Sequence, residues 1–194
     1  MNKFLWPVGL VLAIALFFSS NIRGYYRFKE ICLKNAGLHV YVPLMRDVGW
    51  VAREIDAPLL LHFYKEIPFV RHSTDGHTFK DLVRTSDRSS ASDNGFRTIS
   101  PDPSKQPIYS YQTVLENVAN ELRIYKRGAI VTEVASGKVV ATFQDYIYRI
   151  FETNWGPAEG TSCSSFSSVN AANHARDSGE KFLQNAFVSN PEKQ

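Results

Sequence analysis

Ile124-Tyr-Lys-Arg-Gly-Ala-Ile-Val-Thr-Glu-Val-Ala-Ser-Gly-Lys-Val-Val-Ala-Thr-Phe143 carries the strongest β signal in the chain. Apolar and polar residues alternate along it, and the alternation breaks at Lys126-Arg-Gly128 and again at Ser136-Gly137. Glycine-bearing breaks between alternating runs mark hairpin turns. With Leu122 in front and Phe151 at the far end, the stretch predicts a meander of three strands. Read as a two-residue turn, Ser136-Gly137 sets Val134 against Val139, Thr132 against Ala141 and Ile130 against Phe143. That face is largely apolar and its reverse is mixed, as a one-sided antiparallel sheet requires. Asp145 and Arg149 interrupt the apolar face further along, which predicts a bulge or the end of the sheet there.

Upstream, residues 23–36 predict a helix. Phe28, Ile31, Cys32 and Asn35 fall at i, i+3, i+4 and i+7, and Gly37 is placed to stop it. Leu38, Val40, Val42 and Leu44 alternate with His39 and Tyr41, a strand pattern ended by Pro43. Asp56 is placed to cap a short helix through Lys65 with Leu60, Phe63 and Tyr64 inward. Residues 67–72 predict a strand entering a polar turn at Ser73-Thr-Asp-Gly76. Residues 84–107 are rich in Ser, Pro and Asp and too polar to offset their ordering entropy, so they predict an exposed excursion. Near the end, Asp177-Ser-Gly-Glu180 resembles a capping box, with a terminal helix over 181–188 burying Phe182, Leu183, Ala186 and Phe187.

Composition sets outer bounds. The 194 residues are 44% hydrophobic and 21% charged, with 22 Lys and Arg against 19 Asp and Glu, a net +3. That profile fits one folded domain, with room for an appendage. The charge excess is too small to argue for a nucleic-acid partner. Two cysteines are too few for a disulfide-dense scaffold or a four-cysteine zinc site.

The start of the chain speaks to location. Between Lys3 and Arg23, residues 4–22 carry no charge. As a helix they reach roughly 28 Å, close to the hydrocarbon thickness of a bilayer. A basic start before an apolar run also describes a signal peptide. A cleavage site near Ser19 or Ser20 would put Phe17 or Phe18 three residues before the cut, where a small residue is needed. The reading is therefore a transmembrane anchor or uncleaved signal over 1–24, a lipid bilayer as partner through residues 4–22, and an unknown protein partner. Arg23, Tyr25, Tyr26 and Arg27 form the aromatic and basic belt expected at a membrane interface. Orientation is contested. Arg23, Arg27, Lys29 and Lys34 favour a cytoplasmic domain by the positive-inside rule, whereas the short leading tail is how exported chains begin. Cys32 and Cys163 are either two buried thiols or a disulfide. Outside the cytoplasm they would close a loop worth roughly 4–5 kcal/mol in the chain-entropy model. The expected location is a membrane-anchored domain in the periplasm. The alternatives are cleavage and release there, or a cytoplasm-facing domain.

No catalytic motif assembles. His62, His72 and His77 with Asp75 and Asp81 are the one group resembling metal ligands, and their spacing matches no motif with a mechanism. There is no Gly-x-Ser-x-Gly, and Cys163 suits a disulfide better than a nucleophile. Tyr146, Tyr148, Phe151 and Trp155 read as strand-end packing before an aromatic ligand face. No catalytic residue, metal ligand or cofactor is assigned.

The run Phe28-Lys-Glu-Ile-Cys-Leu-Lys-Asn-Ala-Gly-Leu-His-Val-Tyr41 resembles an element of small, single-anchor bacterial membrane or exported proteins of unassigned function. In them a cysteine-bearing helix leads through a glycine into a strand, and a late meander follows. The resemblance covers about a quarter of the chain and carries no catalytic residues. It implies a bacterial, membrane-associated protein.

Taken together, the sequence predicts an α+β fold. An amino-terminal transmembrane helix is followed by an antiparallel sheet, the meander plus one or two further strands, packed against two or three helices. Residues 25–194 form one domain with a flexible excursion at 84–107. The expected function is a non-enzymatic, membrane-tethered accessory or binding domain of a bacterial envelope. The alternative is a metal-dependent or hydrolytic envelope enzyme using the His72 and His77 region.

Overall fold

A computed structural model describes residues 5–85, 95–121, 123–149, 160–163 and 182–188. In chain order its elements are α1 (Leu5–Asn35), β1 (Gly37–Val40), β2 (Leu44–Met45), β3 (Gly49–Val51), α2 (Ala57–Phe63), β4 (Phe69–Ser73), β5 (Phe79–Arg84), β6 (Phe96–Ile99), β7 (Pro107–Asn117), β8 (Ile124–Glu133), β9 (Val139–Tyr148), β10 (Thr161–Ser162), a 3-10 helix (Phe182–Ala186) and β11 (Phe187–Val188). The fold is sheet-rich α+β. Its main sheet is mixed, not wholly antiparallel as expected, because β3 runs parallel to both β4 and β7.

The chain divides into two compact units, each gathered from three segments. One takes Met1–Ala36, Leu115–Arg127 and Asp145–Val169; the other takes Gly37–Val114, Gly128–Gln144 and Asn170–Gln194. The larger unit holds most of the sheet, whose path is β1-β9-β8-β7-β3-β4-β5-β6. A second, two-stranded sheet pairs β11 in parallel with β2. Its core gathers Trp50, Leu60, Leu61, Tyr64, Ile67, Val70, Val131 and Leu183. Tyr64 presents its hydroxyl to the Leu183 backbone N–H, which donates to it at 3.2 Å. The smaller unit builds on the second half of α1. There Phe28, Ile31 and Cys32 pack with Ile124, Tyr146, Tyr148 and Cys163, while β10 pairs with the end of β9.

The expected transmembrane helix is corrected. Among the described residues, no helix is long and apolar enough to cross a membrane. The uncharged run is the leading part of a longer helix, and its far end is committed to protein. The Asn21 carbonyl accepts from the Tyr148 hydroxyl at 3.0 Å, and the Asn21 side chain accepts from Arg123. From Leu5 to the residue before Asn21 the helix rises roughly 24 Å, short of a ~30 Å hydrocarbon core.

The meander also differs from expectation in a way the backbone explains. Gly128 lies inside β8 and marks no turn. A Cβ built there would stand 1.9 Å from the Phe143 carbonyl oxygen, so only glycine lets the two strands approach. The third neighbour is β7. A four-residue turn, 134–137, is closed between Glu133 and Lys138: the Glu133 N–H donates to the Lys138 carbonyl, and the Gly137 N–H donates to the Glu133 carbonyl. Gly137 adopts a φ of +67°. The register is displaced by two residues, which leaves each side chain on the face expected for it. What differs is that on β8 the buried face is the one read as mixed, with Ala129 and Val131 buried, Val140 buried on β9, and Val134 and Val139 exposed. Residues 84–107 are not all excursion either, because β6 pairs antiparallel with β5. Of the expected terminal helix, 182–186 is a 3-10 helix that hands over to β11; the proposed cap at 177–180 lies outside the described residues.

These contacts rank two glycines. Gly128→Ala forces a methyl group against fixed backbone and should cost ~1–3 kcal/mol. Gly137→Ala meets open space and bears only the left-handed backbone cost, ~1–2 kcal/mol. Urea unfolding of the two variants should place Gly128→Ala lower in midpoint; the reverse order would contradict the strand approach described.

Candidate functional site

The most unusual surface among the described residues is the first half of α1. Val8, Leu10, Val11, Leu12, Ile14, Leu16 and Phe18 are all exposed. Leu10, Val11 and Leu12 are consecutive, so they point about 100° apart and cover three sides of the helix. Large contiguous apolar patches are rare on isolated proteins in water and mark interaction surfaces.

The second half of α1 is held by the smaller unit. Phe28 stacks on Tyr148 at 5.6 Å between ring centroids, and Tyr25 meets Tyr148 edge-on at 6.1 Å. Cys32 and Cys163 form a disulfide with Cα atoms 5.3 Å apart, closing a separation of 131 residues. Neither cysteine is free, so Cys163 has no thiolate to act as a nucleophile.

Asp145 organises the same neighbourhood. It is buried on β9, and strand pairing continues past it to Tyr148. The sequence flagged it as an interruption because a lone buried carboxylate is costly. Here it is fully engaged. One oxygen accepts from Arg127 Nε at 2.8 Å, and the other from the backbone N–H groups of Tyr146 at 2.9 Å and Cys163 at 3.2 Å. Arg149, also buried, sits over the Tyr125 ring at 4.4 Å. Burial pushes the Tyr146 phenol above its ordinary pKa.

The four residues expected at a membrane interface separate into two kinds. Tyr25 and Arg27 serve the protein. Arg27 donates to Glu121 at 3.0 Å and to Glu30 at 2.9 Å, and the Glu121 hydrogen bond leads in raising its pKa. Arg23 and Tyr26 face solvent.

The histidines and acids read as possible metal ligands are not brought together. Among the described residues no three His, Cys, Asp or Glu side chains are placed to share an ion. His62 is exposed on α2, edge-on to Phe63. His72 is buried in β4 with an unpartnered Nδ1. Asp81 holds Arg71 across the β4–β5 pair through two hydrogen bonds of 2.7 and 3.0 Å. Asp75 folds the β4–β5 turn, accepting from the Ser73 and Thr78 hydroxyls and from the backbone N–H groups of His77 and Thr78. Those backbone hydrogen bonds, Thr78 first, hold its carboxyl far below the usual carboxylate range. Arg84 was not singled out by the sequence. Its guanidinium donates to the carbonyls of Leu61, Tyr64 and Ile67, closing the carboxyl end of α2, and burial lowers its pKa.

A shallow depression of about 380 Å³ lies beside His62, Phe63, Lys65, Glu66 and Gln184, with no grouped catalytic side chains. Tyr146 and Tyr148 are core residues; Phe151 and Trp155 lie outside the described residues. No family model, no curated protein and no solved structure matches this chain.

Two solution measurements follow. Cys32→Ser with Cys163→Ser, or reduction of the native chain, should lower stability by about 4 kcal/mol in urea unfolding; no change would mean that the bond does not constrain the chain. Asp75 has a depressed folded pKa, so its contribution is present above the unfolded carboxylate value of ~4 and fades as pH falls below it. The stability difference between the native chain and Asp75→Asn should therefore be largest at neutral pH and shrink on acidification. A difference that grows towards acid would contradict the turn described.

Proposed function

We propose that this protein is a non-enzymatic accessory or binding domain of a bacterial envelope, associated with a lipid bilayer through residues 4–22. One observation carries the reading: apolar side chains are exposed around α1 from Val8 to Phe18. A protein partner usually covers one stripe of a helix, whereas lipid can cover several sides at once. The Cys32–Cys163 disulfide supports a domain on the periplasmic side, where such bonds persist. The resemblance of residues 28–41 to single-anchor bacterial proteins points the same way. The protein's role is then to present its folded units at a membrane surface.

Flotation of the purified full chain with phospholipid vesicles tests this. The native chain should float with the vesicles, and Leu12→Glu should reduce the bound fraction at least tenfold. A native chain that stays with the buffer would contradict the lipid assignment. A separate panel of ester, peptide, phosphate and glycan substrates should show no turnover; a robust rate on any of them would overturn the non-enzymatic half.

A further inference from the structure

One exposed line of apolar residues on α1 does not stop where the uncharged run stops. Val8, Val11, Phe18, Ile22, Tyr26 and Leu33 are each between 53% and 67% exposed. At 3.6 residues per turn they share an arc of roughly 100° along the whole helix. The line is turned away from Phe28, Ile31 and Cys32, which are buried in the smaller unit. Ile22, Tyr26 and Leu33 are therefore left outward where the opposite face of the same helix is already packed.

The charges beside this line are distributed unevenly. Arg23 and Lys29 lie three residues before and after Tyr26, about 60° to either side of it. Both are exposed, and neither makes an ion pair among the described residues. The cations further around the helix are already used: Arg27 binds Glu30 and Glu121, and Lys34 binds Glu30 at 2.7 Å. On α1 the two exposed cations without an ion pair among the described residues thus flank Tyr26. Arg23 stands about 60° outside the apolar line, and Lys29 lies within its arc at the angle of Val11, where its long stem can follow the apolar surface and carry the ammonium out to the headgroups.

We infer that α1 lies along the surface of an anionic phospholipid bilayer, with the line from Val8 to Leu33 facing the acyl boundary and Arg23 and Lys29 reaching headgroup phosphates on either side of Tyr26. The inference rests on the lipid reading above and extends it from the uncharged run to the whole helix. The contact line is roughly 37 Å long. A helix in this position buries the line by about 5–10 Å and needs no crossing of the hydrocarbon. Its first half, where Leu10 and Leu16 are exposed on other sides, sinks deeper than its second half, which is packed on the protein. Tyrosine suits the boundary, with its ring in the apolar layer and its hydroxyl towards water. The two cations make the binding depend on lipid charge and on salt.

The experiment is flotation of the full chain with phosphatidylcholine vesicles, with and without phosphatidylglycerol, using Leu12→Glu, Tyr26→Glu, Leu33→Glu and the double variant Arg23→Glu/Lys29→Glu. Circular dichroism and an intact disulfide establish that each variant is folded, which is expected because every altered side chain is exposed. Tyr26→Glu and Leu33→Glu should each lower binding at least tenfold. The charge reversal should remove the preference for phosphatidylglycerol, about fivefold per cation. If Leu12→Glu abolishes binding while the Tyr26, Leu33 and charge variants bind like the native chain, the lipid reading stands and the surface-lying helix is overturned. If the native chain fails to bind at all, both fall. If Tyr26→Glu and Leu33→Glu instead dissolve a dimer seen by sedimentation, with vesicle binding unchanged, the line is an interface between copies and the inference is overturned.

Discussion

The bond between Cys32 and Cys163 is the constraint on which the smaller unit depends. It joins the last turns of α1 to the residue that follows the short strand β10, across 131 residues of chain. Closing so long a loop removes much of the freedom of the unfolded chain. The bond is surrounded by groups that need it in place. Asp145 accepts from the Cys163 backbone N–H, and Phe28 and Ile31 fill the space beside Cys32. With α1 fastened at this end, its buried face is chosen, and the opposite face is left to water or to whatever replaces water.

That choice ties sequence to function. A helix apolar on one side would bury that side and present a polar surface. The first half of α1 is apolar around its circumference, so packing one face cannot hide the rest. The second half is packed on one face and still carries Ile22, Tyr26 and Leu33 outward. Arg27 and Lys34 face the protein's own acids, whereas Arg23, beside the apolar line, and Lys29, within it, make no ion pair among the described residues. The arrangement fits a domain that meets an apolar layer edged with negative charge.

Local pattern made some of this legible. Of the stripe read from helical spacing, Phe28, Ile31 and Cys32 are buried and Asn35 is exposed, and α1 ends beside Gly37 as expected. The two cysteines were legible as a candidate pair, with two separate buried thiols as the alternative, and the folded chain brings them together as a disulfide. The failures have physical causes as specific as the successes. Gly128 looked like a turn because close strand approach and tight turns select the same residue, and only the Phe143 carbonyl separates the two uses. The turn after Glu133 took four residues where Ser136-Gly137 suggested two, which put Val134 in the turn and exposed it. Val131 is inward because the other face of β8 is the buried one, which alternation alone does not decide. The end of the uncharged run was misjudged because Asn21 counts as neutral. Its contacts with Tyr148 and Arg123 are more than a hundred residues away in sequence. Arg84 went unnoticed because its task, closing α2 through three carbonyls, exists only in the folded chain.

Amide hydrogen exchange of the intact, oxidised chain, with and without phospholipid vesicles, tests the central claim most directly. Lipid contact along α1 should slow exchange of amides in 8–22 when vesicles are added and leave the strands of the larger unit unchanged. Identical exchange in α1 with and without vesicles would contradict the account.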